Sequence, residues 1–171
     1  MECSIVLAGR KYRLEFDSGQ RIFAERLGGI CRSVWNAGLE QRREYRRRGA
    51  WINYPEQCAQ LAQAKRDPYC DWLASAPAQV IQQTLKDLDQ ACRKHGTWKV
   101  RWKSKAMWNP SFRFPTAKHI AIERINRKWG RVLLPKFGWV KFSDVAHTRG
   151  KGEAGNRLSR REALVRQLPR G

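Results

Sequence analysis

The sequence is poor in acidic residues, in histidine and in long apolar runs. It holds 15 Asp+Glu and three His in 171 residues. Metal-assisted phosphodiester chemistry needs convergent carboxylates, and here they are scattered. Asp87 and Asp89 lie two apart in a stretch of helical spacing, so they point away from each other and cannot share an ion. There is no phosphate-binding G-x-x-x-x-G-K-[ST], no nucleophile elbow and no histidine pair. The sequence thus offers no catalytic residue, no metal ligand set and no cofactor site. No apolar run approaches the roughly 18–20 residues of a membrane span. The start, Met1–Ala8, is short and gives way at once to charges, unlike a secretory signal. Cys3, Cys31, Cys58, Cys70 and Cys92 are isolated, odd in number and form no C-x-x-C, which argues against zinc and against disulfides. Buried free thiols in a reducing cytoplasm are the expectation.

What the sequence has is positive charge. Lys+Arg number 35, giving a formal net charge of +20. Cations at this density repel one another in a compact chain, so a polyanionic partner is implied. With no membrane span, nucleic acid leads. Hydrophobic residues make up 42% and include eight Trp, enough for a packed core.

The order of elements reads strand, helices, strands, tail. Tyr12, Leu14 and Phe16 alternate with Lys11, Arg13 and Glu15 in the period of a strand. Asp17 and Gln20 make a capping box, and Phe23, Leu27, Ile30, Cys31 and Val34 then recur at helical spacing. This helix runs from Ser18 through QRREYRRR to Gly49, with Gly28-Gly29 marking a turn or a close helix crossing. A second helix starts at Asn53, with Asn53 and Glu56 as a capping box and Pro55 in the first turn. Cys58, Leu61 and Ala62 line its narrow apolar face. Asp67-Pro68 ends it, and a short turn of helix covers Tyr69–Leu73. Ser75 caps a further helix, lined by Ile81, Thr84, Leu85, Leu88, Ala91 and Cys92, ending near Gly96. Strands are then expected at 97–103, 111–114, 119–125, 131–134 and 139–143. From about 146 the chain reads as a basic flexible tail with a weak helix at Ser159–Gln167.

Two features bear on nucleic acid. Arg42, Arg43, Arg46, Arg47 and Arg48 share a helical segment with only Glu40 and Glu44. A solvated face with i,i+4 pairs is one reading, but the excess of cations favours phosphate contact. In WKVRWKSKAMWNPSFRFP (98–115), Trp98, Val100 and Trp102 alternate with Lys99, Arg101 and Lys103. The expectation is a barrel strand with the aromatics in the core and Lys99, Arg101, Lys103, Lys105 and, further on, Arg113 forming an outer cationic stripe. Trp108 is the aromatic expected to be free for base stacking. A pair of capped helices joined by a short turn also permits a helix-turn-helix that reads duplex DNA.

The segment GGICRSVWNAGLEQRREY (28–45) resembles the signature near the start of TnpB (OrfB) proteins, the insertion-sequence-associated RNA-guided nucleases. The similarity continues through LKDLDQAC (85–92), KVRWKSK (99–105), SFRFP (111–115) and LPKFGWVKF (134–142), in order, over about residues 10–143. The resemblance implies an α+β fold. A small wedge-type β-barrel from 1–16 and 97–145 is interrupted by a helical, helix-turn-helix-like recognition domain over 17–96, with a basic tail over 146–171. Tyr12–Phe16 would then pair with strands that follow Gly96. It also implies binding of guide or scaffold RNA and of DNA, with Arg42, Arg43, Arg46, Arg47, Lys99, Arg101, Lys103, Lys105 and Arg113 on the backbone and Trp108 stacking. The RuvC nuclease domain of the family, with its inserted zinc finger, would follow residue 145, and the tail does not resemble its start. A frameshift or premature stop would yield such a tail. The expected protein is therefore a cytoplasmic, nucleoid-associated binding fragment without nuclease. A stand-alone helix-turn-helix regulator is the alternative. Two departures stand out: EFDSGQ replaces the usual Tyr-Pro-Thr-Pro-Glu-Gln type stretch, and the segment after Cys92 lacks the usual aromatic pair.

Overall fold

The computed structural model describes residues 12–106, 111–115, 120–144 and 163–166. Strand β1 (Tyr12–Glu15) leads into a 30-residue helix, α1 (Ser18–Arg47). The capping box at its start is formed: Asp17 Oδ1 accepts from the Gln20 backbone N–H at 2.7 Å, and Gln20 Oε1 accepts from the Asp17 N–H at 3.2 Å. Gly28-Gly29 does not break the helix. The close crossing lies one stretch later, at Gly38. A Cβ there would come within 2.9 Å of the Leu85 and Leu88 Cδ2 atoms, so the glycine lets two helices approach.

Helix α2 (Tyr54–Ala64) carries the second expected capping box, between Asn53 and Glu56. Its buried side chain is Gln57 rather than an apolar residue, and Ala62 is exposed. A 3-10 turn (Pro68–Cys70) and a short α3 (Asp71–Ala74) follow. Helix α4 (Ala78–His95) is preceded by Pro77, not capped by Ser75. The Ser75 hydroxyl donates instead to the Trp72 carbonyl at 2.7 Å.

The strands form β2 (Ser111–Phe114), β3 (Ala121–Arg124), β4 (Trp129–Leu134), β5 (Gly138–Asp144) and β6 (Ala163–Arg166). The main sheet has the order β1-β5-β4-β3, all antiparallel. In it Leu14 faces Phe142 across the β1–β5 pair, so the first strand does join strands that follow all the helices. One buried cluster joins Leu27, Val34 and Leu39 of α1 to Ile81, Leu85 and Leu88 of α4 and to Phe112, Phe114, Val132 and Val140 of the strands. Phe137, at the β4–β5 turn, stacks with Phe16 and Phe112 and meets Phe23 edge-on at 4.7 Å. Each such ring pair adds about 0.5–1.5 kcal/mol beyond its burial.

The architecture is thus α+β with a small antiparallel sheet, and the sheet is open. β3 is exposed along its length, and β2 pairs with β6 in a separate two-stranded ribbon. That pairing also replaces the helix expected near Ser159–Gln167. The strand expected at 97–103 is missing as well. Thr97–Lys99 is a turn, closed by the Lys99 N–H on the Gly96 carbonyl at 3.1 Å, and the following residues are irregular. The physical reason is that side chains of α1 occupy the backbone groups a neighbouring strand would use. The Trp35 indole donates to the Arg101 carbonyl at 3.2 Å. The Asn36 side chain brackets Lys103, donating to its carbonyl at 3.0 Å and accepting from its N–H at 2.9 Å. Arg43 donates to the Val100 carbonyl at 2.8 Å.

Candidate nucleic-acid interface

The same contacts build the candidate site. Trp35 and Asn36, in the VWN stretch of α1, hold 101–103 against the helix, and Arg43, two turns further on, holds 98–100. Period-two alternation therefore fails in this segment. Val100 is buried as expected, but Trp98 is 57% and Trp102 45% exposed. Both indoles lie beside the end of α1. The Arg43 guanidinium is 4.9 Å from the Trp102 ring centroid and 5.8 Å from that of Trp98. Arg47, one helical turn beyond, is 5.7 Å from Trp98. Around the helix end, Arg46 sits 3.6 Å over Trp51, itself 57% exposed. Cation–π contact holds each guanidinium near a ring without neutralising it.

The expected contact residues fall into three groups. Arg43, Arg46, Arg47, Lys99, Arg101 and Lys105 lie on or near this surface. Arg46 and Arg43 have no carboxylate partner among the described residues. Arg47 is ion-paired to Glu40 at 3.3 Å and Glu44 at 3.1 Å. These exposed pairs are weak and exchange readily for a phosphate. Bonds from Arg47 and Arg48 hold the Glu44 carboxyl below its ordinary range.

Arg42 belongs elsewhere. It is 4% exposed, with Nη2 on Asp89 Oδ1 at 2.8 Å and Nε on Gln57 Oε1 at 2.7 Å. It cannot reach a phosphate, so the expectation for Arg42 is corrected: it cross-links α1, α2 and α4 inside the fold. Helical position is the reason, because Arg42 lies four residues past Gly38 on the face that meets α4. Asp89 turns to Arg42 and Arg93, while Asp87 pairs with Arg113.

Lys103 and Arg113 form an intermediate group. Lys103 Nζ lies 3.7 Å over the Trp35 ring, and burial pushes its amine down to about 8. With Cys31, Thr84, Asp87 and Phe112 these two residues line a small cavity. The Cys31 thiol is pushed up, chiefly by burial. Both cations face inward more than the outer-stripe expectation allowed. Trp108, expected to stack, lies outside the described residues. No cluster of three or more His, Cys, Asp or Glu able to hold a metal occurs among the described residues. Likewise, no helix there is long and apolar enough to cross a membrane.

The sequence reading missed Trp98 and Trp102 as surface aromatics. No local signal gave it, because the strand is displaced by Trp35, Asn36 and Arg43, which hold the segment against α1.

The stretches that fix this geometry, VWN, KVRWKSK, SFRFP and LPKFGWV, are tied together through α1. Gln20 completes the set by donating to the Trp139 carbonyl at 2.9 Å. The sequence pattern of the helix-turn-helix domain of OrfB proteins of the IS605 type matches residues 1–50. The chain is thus similar to the OrfB (TnpB) proteins of insertion sequences. The putative RNA-guided DNA endonuclease InsQ of Escherichia coli K12 is 29% identical over 145 residues, covering 82% of this chain. This chain spans 34% of InsQ's length. Within residues 12–50, the described part of the family match, the fold is one strand, one unbroken helix and the turn that follows it. Helix α2 (Tyr54–Ala64) lies beyond that family match.

Proposed function

We propose that this chain is a nucleic-acid-binding module of the OrfB type that grips guide RNA, target DNA or both, and that it does not itself cut them. The observation that carries this reading is the surface at the end of α1. Arg43 and Arg46 hold charge unmatched by carboxylates beside exposed indoles, and Lys99, Arg101 and Lys105 continue the charge along the neighbouring segment. Such a surface binds phosphates and exposed bases and says little about sequence. The relation to InsQ supports RNA and DNA as the partners. In this reading β1 with the later strands acts as the wedge, and α1–α4 as the recognition lobe. The bound state would associate with the nucleoid.

The test is to express the chain in its native background, capture it at moderate salt and sequence the co-purifying nucleic acid. One structured RNA from its own locus is the expected result. A random mixture released by modest salt would refute guide binding and leave only general affinity for polyanions. Recovery of no nucleic acid would refute the function altogether. Incubating the purified protein with magnesium and the recovered partners should leave the DNA intact. Cleavage that tracks the protein through purification would refute the non-cutting assignment.

A further inference from the structure

We propose that the end of α1 is a stacking platform for unpaired nucleotides, with Trp98 and Trp102 receiving bases of a single strand and with fully paired duplex excluded from that contact. The proposal rests on the nucleic-acid reading above and adds the strand state that the site recognises.

Four observations carry it. Tryptophan is among the most buried residue types on average, yet two of the three indoles between 98 and 108 are about half exposed within a five-residue stretch. These indoles are not on a loose loop. The segment that carries them is fixed at Val100, Arg101 and Lys103 by Arg43, Trp35 and Asn36. A platform held this way costs little ordering entropy when a ligand arrives. Charge is placed beside the rings. Arg43 lies within 6 Å of both rings, and Arg47 is similarly near Trp98. A base stacked on an indole thus brings its phosphates to cations already in position. Finally, the Arg43 guanidinium is anchored on the Val100 and Trp98 carbonyls at 2.8 and 3.4 Å, so the cation over the two rings is held in place while about half of each indole stays exposed.

The chemistry then selects the strand state. In a duplex each base is covered above and below by its neighbours and offers only edges and backbone. An indole has no ring face to meet there. In a single strand the faces are open, and stacking of a base on an aromatic ring is largely indifferent to which base it is. Arg46 and Arg47, by contrast, meet phosphates of either form.

The test uses the full chain and fluorescence anisotropy with three labelled probes: a uridine oligomer, a deoxythymidine oligomer and a blunt duplex of the same length. Each is titrated over a salt series. The Trp98→Ala/Trp102→Ala variant should lose roughly tenfold or more on the single strands. Its duplex affinity and salt slope should stay as in the wild type. Trp98→Phe/Trp102→Phe, which keeps ring faces, should recover most of the loss. Arg46→Ala/Arg47→Ala should weaken all three probes and flatten the salt slope. The uridine and deoxythymidine arms separate RNA from DNA as the source of the strand. Equal loss on duplex and single strand, or no loss on the single strands, overturns the platform while leaving general binding intact. Failure of the wild type to bind any probe overturns the binding reading too. Independently of variants, ultraviolet cross-linking of a bromouridine oligomer to the wild type should map to the peptide containing Trp98 and Trp102. Cross-links confined to other peptides overturn the proposal.

Discussion

Arg42 and Arg46 are four residues apart in one helix, yet the structure assigns them opposite tasks, and substitution can separate them. Asp89→Ala removes the carboxylate that Arg42 Nη2 meets at 2.8 Å. Arg42 is then left 4% exposed with the Gln57 amide oxygen as its remaining side-chain partner. A buried charge stripped of its counter-ion costs about 3–5 kcal/mol. For a chain of this size that corresponds to a fall in Tm of roughly 10 °C. Arg42→Met should cost less, about 1–3 kcal/mol. Asp89 keeps Arg93 at 2.8 Å, and that arginine reaches solvent. Gln57 keeps its bonds to the Gly38 carbonyl and to Gln41 at 2.9 and 3.0 Å. The Arg42→Met/Asp89→Leu double variant should recover most of the Asp89→Ala loss, because no charge remains to be buried. Urea unfolding followed by circular dichroism gives these differences. Nucleic-acid affinity supplies the second readout. At temperatures where it stays folded, Arg42→Met should leave the salt slope unchanged, whereas Arg46→Ala should lower it by about one charge's share. The reasoning is refuted if Asp89→Ala costs under about 1 kcal/mol, or if Arg42→Met flattens the salt slope as Arg46→Ala does.

Phe137→Ala should be among the costliest single changes, about 3–5 kcal/mol, since that ring contacts Phe16, Phe23, Phe112 and Phe114; a urea midpoint equal to wild type would contradict the core assignment. Asn36→Ala should free the 101–103 segment, raising amide hydrogen exchange at Lys103 and weakening single-strand binding together; faster exchange without weaker binding would show that the platform needs no bracing. Lys103 provides a pH test. Its folded amine titrates near 8 against an ordinary 10.5, so between those values the unfolded chain holds more protons and stability rises with pH. The wild-type-minus-Lys103→Met difference in stability should carry that rise, the thiols of Cys58 and Cys92 cancelling in it; a flat difference across the window would sink it.

The helices were legible in the sequence because their signals are local. Asp17 with Gln20 and Asn53 with Glu56 cap where they stand, and the apolar spacing of α1 and α4 follows from the helical repeat. Strand positions 111–114, 131–134 and 139–143 were also legible, bounded as they are by Pro115, Pro135 and Gly138. The resemblance supplied the pairing of Tyr12–Glu15 with the late strands, which no local signal could give. What remained hidden was whatever depends on a partner distant in the chain. Residues 97–103 carry the alternation of a strand, but Trp35, Asn36 and Arg43 take the backbone groups that a strand would pair, and two of the expected core indoles end at the surface. Arg42 reads like its neighbours in composition; only the position of Asp89 on a helix many residues later decides that it lies inside. By itself, then, the sequence determined the helices, most strand positions and the need for a polyanionic partner, because period, caps and net charge are properties of the chain alone. Which arginines face that partner, which tryptophans stand beside them and whether the sheet closes were decided by the tertiary structure, because each depends on which donors and acceptors distant in the chain are brought together.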